Sequence, residues 1–204
     1  MDTLQFEIAA AAAALVVEQG LEYGPAKCRA VKSMGLPTRT ALPDNASVEA
    51  AVREHIALYC GETQPAELAA LRALALQWME RMVAFRPYLA GAVWQGTATR
   101  LSDIYIQLFC DDSKEAEISL IDHHVDYEPR GVTGFYGETV EALSLHAECK
   151  ALNETIGVHL MVYDYDDLRM TKRQSATGRT PPDGSPHTAR GDLAAVRRLV
   201  ALSS

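Results

Sequence analysis

No two of the four cysteines stand at a C-x-x-C spacing: Cys28, Cys60, Cys110 and Cys149 lie far apart in 204 residues. That excludes a zinc ribbon and a small disulfide framework, and points to a reducing, cytoplasmic setting. A membrane-spanning run is missing too. The stretch AAAAAALVV (9–17) is too short to cross a bilayer, and Asp2 and Glu7 precede it where a secretion signal carries basic residues. It reads as an alanine-rich helix, and no membrane partner is expected. There is also no broad basic face: residues 91–170 carry fifteen Asp and Glu against five Lys and Arg. A nucleic-acid partner is therefore not expected, because non-specific binding to a polyanion requires the opposite sign. Finally, no internal repeat and no G-x-S-x-G nucleophile motif is present.

What is present begins as a soluble, globular composition, with 48% hydrophobic and 23% charged residues. Residues 1–89 read as helices. Ser47 is a plausible cap for a helix with Val48, Val52, Ile56 and Tyr59 on one face. Pro65 suits the first turn of a longer helix that ends before Pro87, with Leu71, Leu74, Trp78, Met82 and Phe85 as its buried stripe.

Beyond Tyr88 the hydrophobic period shortens. DIYIQLF (103–109) alternates Ile104, Ile106 and Leu108 against Asp103, Tyr105 and Gln107, the pattern of a half-buried strand. Residues 111–124 predict a short helix capped by Asp112, with Ile118 and Leu120 leaving a strand as the alternative. VDYEP (125–129), VEALSLHAE (140–148) and GVHLMVYD (157–164) predict further strands in an antiparallel meander. The segment 171–190, poor in large apolar residues, predicts a mobile loop, and DLAAVRRLVAL (192–202) a closing helix capped by Asp192. The expected fold class is thus α+β: a helical region over 1–89, then a domain over 90–204 built on a mixed sheet with flanking helices.

Candidate chemistry concentrates in GAVWQGTATRLSDIYIQLF (91–109). Gly91 and Gly96 permit a turn whose backbone N–H groups approach a phosphate closely. The strand that follows puts positions 103 and 105 on one face, where two carboxylates would share a pair of magnesium ions. The segment resembles the signature of the polymerase-β-type nucleotidyltransferase superfamily, in which Gly-Ser opens a phosphate-gripping turn and Asp-hydrophobic-Asp follows on the next strand. Gly91-Ala92 falls on the Gly-Ser pair, Gly96 on the second glycine, and Ser102-Asp103-Ile104-Tyr105 on Ser-Asp-Ile-Asp. The resemblance spans residues 90–164 and implies a third acid on a later strand, for which GVHLMVYD offers His159. It is similar most of all to small bacterial proteins with a degenerate domain of this kind.

The departures fall on the chemistry. Ala92 has no hydroxyl, Tyr105 carries a phenol that is neutral near pH 7, and His159 offers nitrogen where magnesium prefers oxygen, leaving Asp103 as the single acid. No metal is assigned; an active version would need Mg²⁺ and a substitute carboxylate, for which Glu141 is a candidate. Asp103, His159 and His146 would be a set acceptable to zinc, but they fall on strands of unfixed register. Adjacent His123 and His124 diverge and suit surface or capping roles. The resemblance and the residues together imply a fold retaining Gly91, Ala92, Gly96, Thr97, Arg100, Ser102, Tyr105 and His159 around a nucleotide or phosphate-bearing small molecule, with Asp103 as the catalytic position if any activity remains. A protein partner docked on the acidic surface is the third expectation.

Overall fold

The computed structural model describes residues 3–134, 139–168 and 190–202. The expected loop over 171–190 therefore lies, apart from Arg190, outside the described residues. Three helices come first: α1 (Thr3–Gln19), α2 (Tyr23–Ser33) and α3 (Asn45–Tyr59). Their shared core is made of small side chains, Ala9, Ala12, Ala13, Ala26 and Ala30, closed by Ile8, Val17, Val48, Val52 and Ile56. Alanine on the facing surfaces of α1 and α2 lets these two helices approach closely, while α3 meets them with Val48, Val52 and Ile56. The cap of α3 is Asp44 rather than Ser47: its carboxylate accepts the Ser47 N–H at 2.7 Å. A carboxylate here both satisfies a free N–H and meets the positive end of the helix dipole. Tyr59 leaves the expected stripe. The buried face ends at Ile56, and Tyr59 is 74% exposed, its ring tilted against His55.

The fourth helix, α4 (Gln64–Arg81, with Pro65 in its first turn), belongs to a different core. Leu71, Leu74, Trp78, Met82 and Phe85 are all buried, as their spacing predicts, and they pack on a six-stranded sheet. Its strands are β1 (Tyr88–Ala90), β2 (Ile104–Cys110), β3 (Glu128–Thr133), β4 (Thr139–Cys149), β5 (Glu154–Asp164) and β6 (Gly191–Asp192), in the spatial order β3-β4-β5-β2-β1-β6. Between them run α5 (Gly91–Gln95) and α6 (Ser113–Asp122), and α7 (Leu193–Leu202) follows β6. The fold is α+β with a mixed sheet: β3, β4 and β5 form the antiparallel meander, β2 runs parallel to β5, and β1 runs antiparallel to β2.

One face of this sheet carries Ile104, Ile106, Leu108, Leu143, Leu145, Val158, Leu160 and Val162. It is covered by α4, by Ala116 and Leu120 of α6 and by Val196 of α7. Asp192 caps α7 as expected, accepting the Ala195 N–H at 2.8 Å, and Asp112 caps α6. The strand β3 begins three residues later than the sequence predicts, and α6 ends in a closure that takes up the first of them, Val125. His124 adopts φ +54°, its N–H reaches the Ile121 carbonyl, and the Val125 N–H reaches Leu120. His123 bonds the Ser119 carbonyl through Nδ1 at 2.7 Å, so the two histidines terminate a helix.

The opposite face begins with the alternation expected of β2 and then departs from it. Gln107 and Phe109 are buried as fully as Ile106 and Leu108. Tyr88, Tyr163, Leu168 and Phe109 form an aromatic cluster over that end of the sheet, and Arg190 lies over the rings of Tyr88 and Phe109 while donating to Gln107.

Candidate active-site cleft

The rest of that second face is left open as a cleft of about 720 Å³. Its floor is the sheet, with Tyr105 and Gln107 of β2, His159, Met161 and Tyr163 of β5, Ala142 and Ser144 of β4 and Arg130 of β3. Its opposite wall is the junction of α1 and α2, where Leu21, Glu22, Tyr23 and Gly24 face the sheet. Gly91, Ala92, Ser102 and Asp103 border it at the start of α5 and of β2.

Gly91 opens α5 with φ +69°, and a Cβ there would stand 3.5 Å from the Tyr105 ring. That distance is ordinary contact, so it is the left-handed backbone turn that glycine serves here. Tyr105 in turn lies stacked on His159, with ring centres 4.9 Å apart and planes 28° apart. This contact follows from the parallel pairing of β2 and β5, in which Tyr105 and His159 are direct partners. The Tyr105 hydroxyl reaches across the cleft and donates to Glu22 Oε1 at 2.5 Å. Burial and then this hydrogen bond push the phenol far above its ordinary range, so Tyr105 acts as a neutral donor.

Asp103 lies just before β2. Its Oδ2 is 3.2 Å from His159 Nε2, and its carboxyl is held below the ordinary range, first by that bond and against the opposing effect of burial. The Gly157 N–H also favours the ionised form. A side chain at position 157 would have no room, since a Cβ would come 2.6 Å from Asp103 Oδ1. On the far side of the imidazole, His159 Nδ1 is 2.9 Å from Ser144 Oγ, and Ser144 is the direct antiparallel partner of His159. The floor of the cleft therefore carries a continuous row from Ser144 through His159 to Asp103.

Comparison of the chain with protein-family models, with curated proteins and with solved structures finds no match in any of the three. The chemistry of the cleft has to be read from its residues.

Of the residues singled out in the sequence, Gly91, Ala92, Ser102, Asp103, Tyr105 and His159 meet at this cleft. Gly96, Thr97 and Arg100 do not border it. Gly96, at φ +85°, ends α5, and its carbonyl accepts from Gln64 of α4, which also bonds the Ala98 carbonyl. Arg72 of the same helix donates to the Val93 and Trp94 carbonyls. This turn is gripped from behind by α4. Thr97 is 4% exposed, well inside the protein. Arg100 pairs with Glu154, and its backbone N–H donates to Glu67. Ser102 Oγ accepts the Thr99 N–H and closes a local turn. Glu141 alternates with Ala142 and so lies on the helix-covered face, where its carboxylate is 3.7 Å from Lys114.

Among the described residues no group of three or more His, Cys, Asp or Glu side chains is arranged to hold a metal ion, and His146 does not complete the set with Asp103 and His159. The thiol of Cys110, pushed up to about 11 by burial and neighbouring carboxylates, is no nucleophile at neutral pH. No single helix among the described residues is long and apolar enough to cross a membrane.

Sequence reasoning missed Glu22, Tyr23, Arg130 and Ser144. A signal for Ser144 exists. The four residues 150–153 form the β4–β5 turn, with Asn153 at φ +54°, and this turn length alone sets the register that opposes Ser144 to His159. No comparable local signal brings Glu22 across the cleft.

Proposed function

We propose that the chain is a nucleotidyltransferase-fold protein with a degenerate metal site, whose cleft binds a nucleotide-type ligand and does not carry out metal-dependent transfer. One observation supports this above the others. The three positions that the family pattern assigns to acids, 103, 105 and 159, are neighbours on adjacent parallel strands, and they carry a single carboxylate. The strand order around them, with β1 antiparallel and β5 parallel to β2 and the Gly91 turn between β1 and β2, is consistent with the same reading.

A hard, strongly hydrated Mg²⁺ bound by one carboxylate, itself engaged with an imidazole, loses most of its anchoring charge. The active-transferase alternative calls for a second acid at the site, and Glu141 is on the wrong face of the sheet to be that acid. Binding without a metal has better support. Tyr23, half-buried on the cleft wall, offers an aromatic surface, and a base stacked on an aromatic ring gains about 1–3 kcal/mol. Among the described lining residues, Arg130 is the guanidinium available to a phosphate.

Titration calorimetry with nucleoside triphosphates, with and without Mg²⁺, tests the proposal. The expected result is affinity that does not depend on the metal. Robust Mg²⁺-dependent incorporation of a labelled nucleotide, abolished by Asp103→Ala, would overturn it, and absence of any affinity would favour a protein-docking module instead.

A further inference from the structure

The row Ser144–His159–Asp103 has an order and spacing that nucleotide binding does not require. We infer that Ser144 is a metal-independent nucleophile, with His159 as its general base, and that the cleft hydrolyses small carboxylic esters. This goes beyond the nucleotide reading, since neither a nucleotide nor a metal takes part.

The geometry assigns the protons. Asp103 Oδ2 lies 3.2 Å from His159 Nε2, so that nitrogen carries the hydrogen and donates it to the carboxylate. Nδ1 is then the acceptor, and Ser144 Oγ, 2.9 Å away, donates to it. A serine hydroxyl donating to a histidine whose other nitrogen donates to an aspartate is the arrangement that activates an oxygen nucleophile. It is recognised by roles and distances, not by position in the sequence. The row is also rigidly held. Ser144 and His159 are cross-strand partners, Tyr105 stacks on the imidazole, and the Gly157 N–H and the missing side chain at 157 seat the carboxylate. The hydroxyl lies on the floor of an open cleft, and at 9% exposure Ser144 admits only a slender acyl group.

The reaction balances with water as the sole co-substrate. Ser144 Oγ attacks the ester carbonyl carbon as its proton passes to His159 Nδ1, and Asp103 offsets the charge of the resulting imidazolium. The C–O bond to the alcohol breaks, and the departing oxygen takes that proton, leaving an acyl-serine. Water then attacks the acyl carbon, giving up a proton to Nδ1, which returns it to Ser144 as the carboxylic acid leaves. The developing oxyanion needs a donor, and Arg130 is placed to be one. It lies on the same face, one strand away and diagonal to Ser144, because Arg130 pairs with Ala142 and Ser144 with Glu128. Its present ion pair, with Glu128 at 2.8 Å, joins two exposed side chains and is weak enough to exchange.

The test treats the full chain with a fluorophosphonate probe and, separately, with p-nitrophenyl acetate. Expected are one adduct, located on Ser144 by tandem mass spectrometry, and ester hydrolysis that falls by about a hundredfold or more in Ser144→Ala and in His159→Ala. Asp103 acts as a positioning residue, so Asp103→Asn should lower kcat with KM nearly unchanged. Ser144→Ala removes one hydroxyl from a paired strand, and its circular dichroism spectrum and urea midpoint establish that it is folded. A folded wild type left unlabelled at Ser144, or hydrolysis equal in the wild type and Ser144→Ala, would overturn the inference.

Discussion

The two faces of the sheet are built on opposite principles, although they share the same strands. On the face under α4, α6 and α7, alternate residues are Ile, Leu and Val with almost no exposure, and their partners are any apolar surface of suitable size. On the cleft face the same strands present Ser144, His159, Tyr105 and Gln107, each tied to specific partners: Ser144 to His159, His159 also to Asp103, Tyr105 to Glu22 and Gln107 to Arg190. The first face holds the fold together by area, and the second positions chemistry by direction. Replacing a residue on the first should cost stability, and on the second it should cost function with little loss of stability.

The largest effect expected from this contrast is at Leu160, which is fully buried in the centre of β5 between His159 and Met161. Leu160→Ala removes apolar contacts and leaves a cavity, a change worth about 2–5 kcal/mol in close-packed cores. Its neighbour variant, His159→Ala, removes a side chain that borders the open cleft and is 21% exposed, and should cost less. Urea denaturation of the two proteins measures the difference, and equal midpoints would show that the faces are not energetically distinct.

The same contrast explains what could be read from the sequence. The stripe of α4 and the alternation of β2 were legible because burial by area leaves a periodic signature in residue types. The caps at Asp112 and Asp192 were legible because an N-cap acts on its own next turn. Asp103, Tyr105 and His159 could be singled out, but their roles could not, since these depend on register: Tyr105 meets His159 through a parallel pairing 54 residues apart, and Ser144 meets it through the antiparallel one. Gly96 and Thr97 show the converse. The glycine spacing suggested a phosphate turn, whereas the carbonyls of that turn are taken by Gln64 and Arg72 from a helix whose polar residues carried no signal of that contact. Glu22, 83 residues before the phenol it accepts from, lies beyond any local pattern.

That long-range bond gives the next, smaller effect. Tyr105→Phe keeps the ring on His159 and deletes only the hydroxyl bonded to Glu22, the hydrogen bond that joins the helical wall to the sheet across the cleft. Loss of one such bond to a charged acceptor costs about 1–3 kcal/mol at most, and less here because the Glu22 carboxylate recovers water at the cleft mouth. The sharper readout is local. Amide hydrogen exchange should quicken over residues 20–24 while α4 and β5 stay protected. Unchanged exchange at 20–24 would mean that the wall is held by its apolar contacts, with Gly20 against Leu101, and not by the phenol.

The smallest expected effect is a dependence on pH, and its sign follows from Asp103. The folded protein holds this carboxyl below its ordinary value, chiefly through the His159 bond, with the Gly157 N–H and the charge of His146 adding to it and burial opposing. A group that ionises more readily in the folded state binds fewer protons there, so its contribution is complete above the unfolded value of about 4 and fades as pH falls through the lower, folded value. The Asp103 side chain is 48% exposed, and solvent screening keeps the contribution small. Wild type and Asp103→Asn should therefore differ in urea midpoint by a constant amount from neutral pH down to about pH 4–5, and converge below that. Comparing the two proteins cancels the titration of every carboxyl they share, including Asp44, which is also depressed, by its bond to Ser47. A gap between them that persisted unchanged to the lowest pH at which both remain folded would show that the carboxylate's charge is not what holds His159, and that the row on the cleft floor is kept in line by strand pairing and the Tyr105 ring alone.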